Sequence, residues 1–435
     1  MRITVIGCGY LGVTHAAGMA ELGYEVLGVE VDPRRVAMLS EGRSPFYEPD
    51  LDDLLRRHVE SGALRFTDSI EEAGAFGDVH FLCVGTPQQA HGLGADLSQV
   101  EGAVAALAPH VRAGALVVGK STVPVGTAER LATMLADEAP VDGARLAWNP
   151  EFLREGFAVK DTLHPDRLVF GVGEPSAEAT LREVYAKAIA DDTPVVVTDL
   201  ATSELVKVSA NAFLATKISF INAIAEICEV AGADVVDLAD ALGHDARIGR
   251  KFLNAGVGFG GGCLPKDIRA FQHRAGELGV DRVTSLMREV DGINLHRRQR
   301  VVQIAREMVG DLPGTRVAVL GAAFKPHSDD VRDSPALWVA GELHLAGATV
   351  SVHDPKANVN AAQRFPTLTY VDSPAEACED ADLVLHLTEW PQFRELDPAD
   401  LATVVRRRKI IDGRNLLDAT AWREAGWEFR SMGRR

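Results

Sequence analysis

The chain has 435 residues, which is too many for one ordinary hydrophobic core, so we expect two or three domains. Its composition, 46% hydrophobic and 25% charged, is typical of globular proteins, and a net charge of −17 argues against a nucleic-acid-binding scaffold. No apolar run approaches the roughly 20 residues that span a bilayer, and the first strand pattern leaves no room for a secretory leader. The five cysteines are scattered without disulfide or metal-ligand spacing, so we expect a cytoplasmic protein with no metal site.

Short apolar runs alternate with helical patterns through residues 1–200. Each run is followed by a glycine or proline break, which is the rhythm of successive β-α-β units. This pattern predicts a doubly wound sheet. The predicted strands are Arg2–Ile6, Glu25–Glu30, Val79–Val84, Ala115–Lys120 and Leu146–Asn149.

Residues 201–300 carry no strand signal. Thr202 or Ser203 can cap a long helix that continues through Ile227. Because this helix is apolar nearly all round, we expect it to be buried between two domains or in a dimer interface.

A second series of strands begins late in the chain, where Arg316–Gly321 repeats the form of Arg2–Gly7. The sequence therefore predicts an α/β fold with two Rossmann-like doubly wound domains, 1–200 and 311–435, joined by a long central helix within 201–300. The later predicted strands are Thr349–His353, Leu383–Leu387 and Lys409–Ile411.

The first strand leads into a glycine fingerprint, Gly-Cys-Gly-Tyr-Leu-Gly, that opens a helix. Gly7 and Gly9 allow a tight turn and close approach of a pyrophosphate, and Gly12 lets the helix pack near the strand. The helix N-terminus then faces the phosphates. This context predicts a dinucleotide site, whereas an isolated glycine motif is compatible with a structural turn.

The second predicted strand ends at Glu30, placed to accept hydrogen bonds from the adenosine ribose hydroxyls. Asp32 is a weaker candidate for that role. An acidic group there repels a 2′-phosphate and favours NAD over NADP, although Arg35 lies close enough to weaken the preference.

A glycine-rich segment, Gly256–Asp267, contains the most reactive residue type of the chain. Pro265 fits the first turn of a helix, so Cys263 lies just before a helix N-terminus, with Lys266 near. The helix N-terminus and the Lys266 ammonium both favour the thiolate form of Cys263, which is the nucleophilic form. Asp267 can orient or deprotonate an adjacent group. The alternative is a glycine-rich turn with a buried cysteine.

Two further segments carry polar residues that need an explanation. Glu151 and Glu155 follow a predicted strand one helical turn apart, and indicate either a general base or a solvated helix start. On the long apolar helix, Glu204, Lys207 and Asn211 occur at i, i+3 and i+7. A lysine and an amide one turn apart can form an oxyanion site, unless they lie on a solvated face.

In this order, the motifs resemble the UDP-glucose 6-dehydrogenase family, within the wider UDP-glucose/GDP-mannose dehydrogenases, over essentially the whole chain. The matching segments are Gly7–Gly12, Val84–Pro87, Lys120–Gly126, Asn149–Gly156, Glu204–Phe213, Gly258–Asp267 and Phe324–Arg332.

The resemblance implies an NAD-dependent four-electron oxidation of UDP-glucose at C6 to UDP-glucuronate. Cys263 would capture the intermediate aldehyde as a thiohemiacetal, which is oxidised to a thioester and hydrolysed. Glu151 is implied to accept a proton, and Lys207 with Asn211 to stabilise the oxyanion. Asp267 is implied to assist hydrolysis, and Thr122 to position water or substrate.

The resemblance also implies the binding residues. Cofactor contacts are Gly7, Gly9, Tyr10, Leu11, Gly12, Glu30, Arg35, Thr86, Thr122, Glu155, Lys266 and Arg332. Substrate contacts are Glu151, Phe152, Leu153, Arg154, Lys207, Asn211, Arg247, Phe252, Asn254, Gly256, Gly258, Phe259, Gly260, Cys263, Phe324, Lys325 and Arg414. Because Arg247 matches a residue that the family supplies from a neighbouring subunit, we expect a homodimer or higher homo-oligomer built on the central helix.

Two positions depart from the family pattern. Gly262 replaces the serine usual before the cysteine, which puts the activation of the thiol in doubt, and Leu264 replaces a common phenylalanine that GDP-mannose relatives also lack. The stretch Ala95–Ser98 is more similar to the UDP-glucose branch. GDP-mannose and N-acetylated UDP-sugars remain alternative substrates, and a two-electron β-hydroxyacid dehydrogenase or a catalytically silent NAD sensor are alternative functions.

Overall fold

A computed structural model describes residues 1–139 and 143–434, which divide into two units, Met1–Ala210 and Asn211–Arg435. The division point lies within the long helix α10, Leu200–Ala231. The threefold division into 1–200, 201–300 and 311–435 that the sequence suggests stays a prediction. Among the described residues, no helix combines the length and apolarity that a membrane crossing requires.

The first unit contains an eight-stranded sheet with the order β3-β2-β1-β4-β5-β6-β7-β8. All neighbouring strands are parallel except β6 and β7, which pair antiparallel. Its strands are β1 (Arg2–Ile6), β2 (Glu25–Val29), β3 (Leu64–Thr67), β4 (Val79–Leu82), β5 (Leu116–Gly119), β6 (Arg145–Trp148), β7 (Leu168–Val172) and β8 (Val195–Thr198).

Helices cover both faces of this sheet, so its central strands are buried on both sides. Consecutive strand residues point to opposite faces: Phe81 belongs to one apolar cluster and Leu82 to the other. The helices of this unit are α1 (Tyr10–Glu21), α2 (Pro33–Ser40), α3 (Leu51–Glu60), α4 (Ile70–Phe76), α5 (Ser98–Leu107), α6 (Thr127–Glu138), α7 (Ala158–Leu163), α8 (Pro175–Val184) and α9 (Ala186–Ala190), with a 3-10 turn at Ala108–His110.

The second unit begins with helices and ends in a six-stranded parallel sheet of order β11-β10-β9-β12-β13-β14. Its strands are β9 (Arg316–Leu320), β10 (Thr349–His353), β11 (Thr369–Tyr370), β12 (Leu383–His386), β13 (Lys409–Asp412) and β14 (Glu428–Ser431). Its helices after α10 are α11 (Val235–Gly243), α12 (Leu264–Glu277), α13 (Asp281–Val309), α14 (Pro335–Leu345), α15 (Asn358–Arg364), α16 (Pro374–Cys378), α17 (Pro391–Arg394), α18 (Pro398–Leu401) and α19 (Ala419–Glu424).

The two Rossmann-like sheets and the long helix between them in sequence confirm the predicted fold class. Among the strands that the sequence did not predict, β11 has two residues, and β3 and β8 are not fully buried, so their apolar runs are weak. The missed strand β7 is apolar and almost wholly buried, so this reason does not apply to it. Five strands were missed or left out, namely β3, β7, β8, β11 and β14.

Helix α10 corrects one expectation. It begins at Leu200, before Thr202 and Ser203, because the Asp199 carboxylate accepts the Thr202 backbone N–H at 2.7 Å and caps the helix. Within the single chain, Phe213, Phe220 and Ile227 are 66%, 51% and 61% exposed, and their spacing of seven residues places them on one face. Burial of this face in a dimer interface stays a prediction.

Candidate active site

The glycine fingerprint forms the turn between β1 and α1. A Cβ at Gly12 would lie 1.8 Å from the Gly7 carbonyl oxygen, so only glycine lets the helix start against the strand. A Cβ at Gly9 would meet no atom within 4 Å, which leaves the backbone at the helix N-terminus accessible to a phosphate. This cradle fits the pyrophosphate of NAD. Cys8 within it is fully buried, and burial raises the pKa of its thiol, so it has a packing role.

The acidic residue expected after the second strand is in place. Glu30 is 7% exposed and accepts a hydrogen bond from the Asp32 backbone N–H at 3.1 Å, while Arg35 lies 3.8 Å from its other oxygen. Asp32 instead caps α2 by accepting the Arg34 N–H at 2.9 Å. Glu30 is therefore the acid available to a ribose, and the charge of Arg35 is partly balanced by it.

The ends of β4 and β5 bring two predicted cofactor contacts together. The Thr86 hydroxyl donates to the Thr122 carbonyl oxygen at 2.8 Å. Ser121, next to Thr122, donates its hydroxyl to the Val84 carbonyl at 2.6 Å. The two loops are thus joined at the edge of the sheet where doubly wound folds bind ligands.

Glu151 and Lys207 form a nearly buried ion pair with 3.0 Å between Oε1 and Nζ. Their side chains are only 12% and 6% exposed, so the solvated-face interpretation of Lys207 is wrong. The other Glu151 oxygen accepts the Leu153 backbone N–H at 2.6 Å. A carboxylate and an ammonium in this setting can exchange a proton with an alcohol or stabilise an oxyanion.

Glu151 and Glu155 do not share a helical face, contrary to prediction. The segment after Pro150 is extended and turned, and α7 begins only at Ala158. The reason is Glu48, a 5% exposed residue whose carboxylate accepts the N–H groups of Gly156 and Ala158 at 2.6 and 2.7 Å.

Glu48 was missed by the sequence analysis. It also accepts a hydrogen bond from the Tyr10 hydroxyl, and the Tyr10 ring stacks on Phe46 with 4.4 Å between centroids. Tyr10 is the first residue of α1, so Glu48 connects the start of the dinucleotide helix to the segment that follows Glu155. An acid between aromatic residues and a proline was the only signal of it in the sequence.

Lys207 pairs with Glu151, whereas Glu204, on the same helix, binds another segment. Its carboxylate accepts the N–H groups of Gly126 and Ala128, both at 2.7 Å, and so caps the N-terminus of α6. Burial raises the pKa of Glu204 to about 7. This carboxylate holds the end of the Thr122–Gly126 loop.

Within the second unit, Cys263 is the N-cap residue of α12, with Pro265 in the first turn, as predicted. All five cysteines are described, and Cys263 alone is exposed, so the buried-cysteine interpretation is wrong. The helix N-terminus favours a thiolate at this position.

Asp267, 2% exposed, lies one turn after the cysteine and is held by two predicted site residues. Lys266 Nζ lies 2.5 Å from its Oδ1, and Asn211 Nδ2 donates to its Oδ2 at 2.7 Å. Lys266 is therefore directed at the carboxylate rather than standing alone beside the thiol. The three residues form a buried polar group around the start of α12.

The backbone of the glycine-rich loop before Cys263 is held by hydrogen bonds to buried side chains. The Asn294 amide accepts the Phe259 N–H at 2.7 Å and donates to the Phe259 carbonyl at 3.0 Å. Arg298 donates to the same carbonyl at 2.9 Å, and Arg297 to the Gly256 carbonyl at 3.2 Å. Such contacts fix the shape of a loop that has no regular structure.

Asn294, Arg297 and Arg298 were also missed by the sequence analysis. All three are at most 1% exposed, although they belong to types that normally lie at the surface. Their spacing of i, i+3 and i+4 on α13 places them on one face, and that pattern was the available signal.

A cavity of about 460 Å³ in the second unit collects most of the predicted substrate contacts. Lys251, Leu264, Glu389 and Leu416 also line it and were not predicted. The predicted residues that line it are Phe252, Asn254, Gly256, Gly258, Phe259, Gly260, Phe324, Lys325 and Arg414.

Arg414 connects three walls of this cavity. Its guanidinium donates to the carbonyls of Leu387, Gly258 and Phe324 at 2.7, 3.0 and 3.3 Å, and it pairs with Glu389 at 3.1 Å. Arg414 therefore shapes the cavity. Each terminal nitrogen of its guanidinium has two N–H groups, of which one is used in these hydrogen bonds.

Other predicted residues have local partners. Arg247 is largely exposed, pairs with Asp245 and does not line the cavity. Arg154 pairs with Asp161 at 2.6 Å, and the Arg167 guanidinium lies 3.7 Å from the centre of the Phe152 ring. Within the described chain, no group of three His, Cys, Asp or Glu side chains is placed to hold a metal ion.

The departure at Gly262 has a structural explanation. Arg332, paired with Asp330 at 2.6 Å, occupies the space beside it. A Cβ at Gly262 would lie 2.2 Å from the central carbon of the Arg332 guanidinium. Gly262 thus accommodates a residue that the sequence analysis assigned to the cofactor.

Comparison with known proteins identifies the family. The family models for UDP-glucose/GDP-mannose dehydrogenases match as an NAD binding domain at residues 1–189, a central domain at 201–296 and a UDP binding domain at 318–419. The chain is 40% identical over 437 residues to a UDP-glucose 6-dehydrogenase of Rhizobium meliloti (strain 1021), covering all of both chains.

Solved structures agree with this match. A UDP-glucose dehydrogenase from Pyrobaculum islandicum superposes with a TM-score of 0.92 at 41% identity, covering 100% of this chain and 98% of that one. A UDP-D-ManNAc dehydrogenase from Pyrococcus horikoshii has a TM-score of 0.87 at 27% identity, covering 100% and 99%. The chain belongs to the UDP-glucose/GDP-mannose dehydrogenase family.

Proposed function

We propose that this chain is a UDP-glucose 6-dehydrogenase that oxidises C6 of UDP-glucose twice, to UDP-glucuronate, with Cys263 as the covalent nucleophile. The observation that carries the proposal is the exposed Cys263 at the N-terminus of α12, one turn from the buried Asp267. The full-length similarity to UDP-glucose 6-dehydrogenases supports the substrate.

The first step removes a proton and a hydride from the C6 alcohol to give an aldehyde. NAD, when bound, supplies the hydride acceptor for each of the two oxidations. We assign proton acceptance to Glu151, because its carboxylate is nearly buried and paired with Lys207. The Lys207 ammonium and the Asn211 amide stabilise the developing oxygen anion.

The second step depends on the thiol. The Cys263 sulfur adds to the aldehyde carbon as a thiohemiacetal, whose oxidation leaves a thioester. Water then breaks the C–S bond, giving the carboxylate and the free thiol. Asp267 is suited to assist this hydrolysis, since it is buried and fixed by two donors beside the start of α12. Thr122 helps to position water or substrate.

The nucleotide sugar is assigned to the 460 Å³ cavity of the second unit. Lys325 and Arg414 supply positive charge there, and the backbone of the glycine-rich loop supplies donors for phosphate oxygens. We assign residues 311–435 to nucleotide-sugar binding and residues 1–200 to NAD binding. GDP-mannose and N-acetylated UDP-sugars are the alternative substrates, as the likeness to a UDP-D-ManNAc dehydrogenase illustrates.

The proposal is tested by counting NADH per sugar with wild type and Cys263→Ala, offered UDP-glucose, GDP-mannose and N-acetylated UDP-sugars. Wild type is expected to form two NADH per UDP-glucose, and the variant to lose uronate production by a factor on the order of 1,000 or more. Cys228→Ala, a buried cysteine, is the matched control. Full uronate production without the Cys263 thiol would refute the mechanism, and a preference for another sugar would refute the substrate.

We further propose that two copies pair through the apolar face of α10 that carries Phe213, Phe220 and Ile227. Exposed apolar side chains aligned over two heptads are typical of a helix that packs against a partner. Arg247, exposed and outside its own cavity, is available to a neighbouring subunit. Sedimentation of Phe220→Asp at micromolar concentration tests this: the variant is expected to be monomeric, and an unchanged dimer would contradict the proposal.

The free cysteines support a reducing compartment, and we assign the protein to the cytoplasm. An oxidised Cys263 would have no thiol for the second step.

A further inference from the structure

Lys120 is a buried cation that the mechanism above does not use. It follows β5 and is 6% exposed. Its Nζ donates to the Asn149 side-chain oxygen at 2.9 Å, the Asn149 carbonyl at 3.3 Å and the Tyr185 hydroxyl at 3.2 Å. These three acceptors engage its three N–H donors, and all of them are neutral. Its hydrogen bonds therefore leave its charge uncompensated.

Burial of such a charge is costly, and burial lowers the pKa of Lys120 to about 8. An apolar side chain of similar length would fill the same space at lower cost, so packing alone does not explain a lysine here. The three hydrogen bonds do not explain why a charged residue occupies this position.

The charged and titratable groups around Lys120 offer an explanation for its charge. Glu151 and Lys207 lie within electrostatic range, as do the buried thiol of Cys83 and the ring of His15. Burial and the charge of Lys120 lower the pKa of His15, and burial raises the pKa of Cys83 to about 12, so both are neutral at pH 7. Glu151 is then the anion that faces the two lysines. Asp161, Asp166 and Arg167 line the same cavity as Lys120 and Glu151, and Asp161 is paired with Arg154.

Geometry also connects Lys120 to Glu151. Asn149, which precedes Glu151 by two residues, receives the Lys120 ammonium and the Tyr185 hydroxyl on its side-chain oxygen and donates to the Val169 carbonyl at 2.9 Å. The direction in which the chain leaves β6 is thereby fixed. Lys120, Asn149 and Glu151 line one cavity of about 40 Å³.

We propose that Lys120 is a positioning residue for the oxidation: its ammonium fixes the Asn149–Glu151 turn, and its charge, added to that of Lys207, attracts the Glu151 carboxylate and holds it in place as the proton acceptor. The inference rests on the proposed role of Glu151. Lys120 acts through Glu151 and has no contact with substrate in this assignment.

The test compares two variants of the same network. Lys120→Met removes the charge and keeps the chain length, whereas Tyr185→Phe removes one acceptor of the same ammonium and keeps the charge. We expect Lys120→Met to lower kcat roughly 10- to 100-fold, with KM for NAD within about twofold of wild type. Lys120→Gln, whose amide still donates to Asn149, is expected to recover part of the lost kcat, because it retains a bond that fixes the turn while lacking the charge. Tyr185→Phe is expected to lower kcat less than Lys120→Met, since it keeps the charge and the bonds from the ammonium to Asn149.

Three results would overturn the inference: a Lys120→Met variant with wild-type kcat, equal losses in Lys120→Met and Tyr185→Phe, or a Lys120→Gln variant no more active than Lys120→Met. If Lys120→Met does not fold, the comparison of Lys120→Gln with Tyr185→Phe gives the same readout. A wild type inactive with every nucleotide sugar would refute the proposed function and this inference with it. An active wild type together with a Lys120→Met variant of equal kcat refutes the inference alone.

Discussion

The two units stabilise their own candidate functional residues by different means. In the first unit, Glu151 lies next to Lys207 and near Lys120, so charge dominates. In the second unit, the loop around Phe259 is held by hydrogen bonds between its backbone and buried side chains such as Asn294. Charge controls the protonation state of a reacting group, whereas paired backbone groups control the shape of a binding surface.

This difference predicts different consequences of mutation. Changes near Glu151 are expected to alter kcat, and changes around the glycine-rich loop to alter KM for the sugar nucleotide. The largest expected effect, the loss of the Cys263 thiol, removes the reaction itself. The following substitutions test the comparison in order of decreasing effect.

Asn294→Ala is expected to raise KM for UDP-glucose at least about tenfold and to lower the free energy of unfolding by about 2–3 kcal/mol. The substitution leaves the N–H of Phe259 without its partner and removes one of the two donors to its carbonyl, within a buried region. Steady-state kinetics and urea unfolding measure the two quantities.

Ser219→Ala is the control for Asn294, because it removes a buried hydrogen bond to the α13 backbone, at the Val290 carbonyl, away from the loop. This substitution is expected to lower the free energy of unfolding and to leave KM for UDP-glucose unchanged. A loss of stability without a rise in KM for Asn294→Ala would show that the loop keeps its shape without this amide.

Glu48→Gln is expected to raise KM for NAD by roughly three- to tenfold while KM for UDP-glucose changes less. The amide NH2 of glutamine would face one of the backbone donors of Gly156 and Ala158, so a hydrogen bond is replaced by two opposed donors. Tyr10→Phe, which removes one donor to the same carboxylate, is expected to have a smaller effect in the same direction. A selective rise in KM for the sugar would contradict the link between Glu48 and the dinucleotide helix.

Gly262→Ser has the smallest expected effect, a change of about two- to threefold in KM for NAD. The new Cβ would lie 2.2 Å from the Arg332 guanidinium carbon, so Arg332 must move. Gly102→Ser, where a Cβ meets nothing within 4 Å, is the control and is expected to be silent. Unchanged kinetics together with an unchanged rate of Cys263 alkylation would show that Arg332 has no role beside the nucleophile.

Much of the site was predictable because its signals are local. The glycine turn at Gly7–Gly12, the cysteine before Pro265 and the strands with long apolar runs follow from backbone preference and periodicity. The helix expected at Glu151 was wrong because a carboxylate about 100 residues earlier, Glu48, takes two N–H groups that would have continued it, across sequence separations of 108 and 110.

The sequence by itself determined the fold class, the dinucleotide turn and the position of Cys263 at a helix N-terminus, since each depends on residues a few positions apart. The tertiary structure decided which polar residues support them. Lys120 meets Tyr185 across 65 positions, and Asn294 meets Phe259 across 35. Hydrogen bonds and ion pairs of this kind form between residues that are distant in the sequence, so no local pattern of residue types predicts them. Glycine and proline, in contrast, restrict or free the backbone at their own positions, and their effect can be predicted from the sequence.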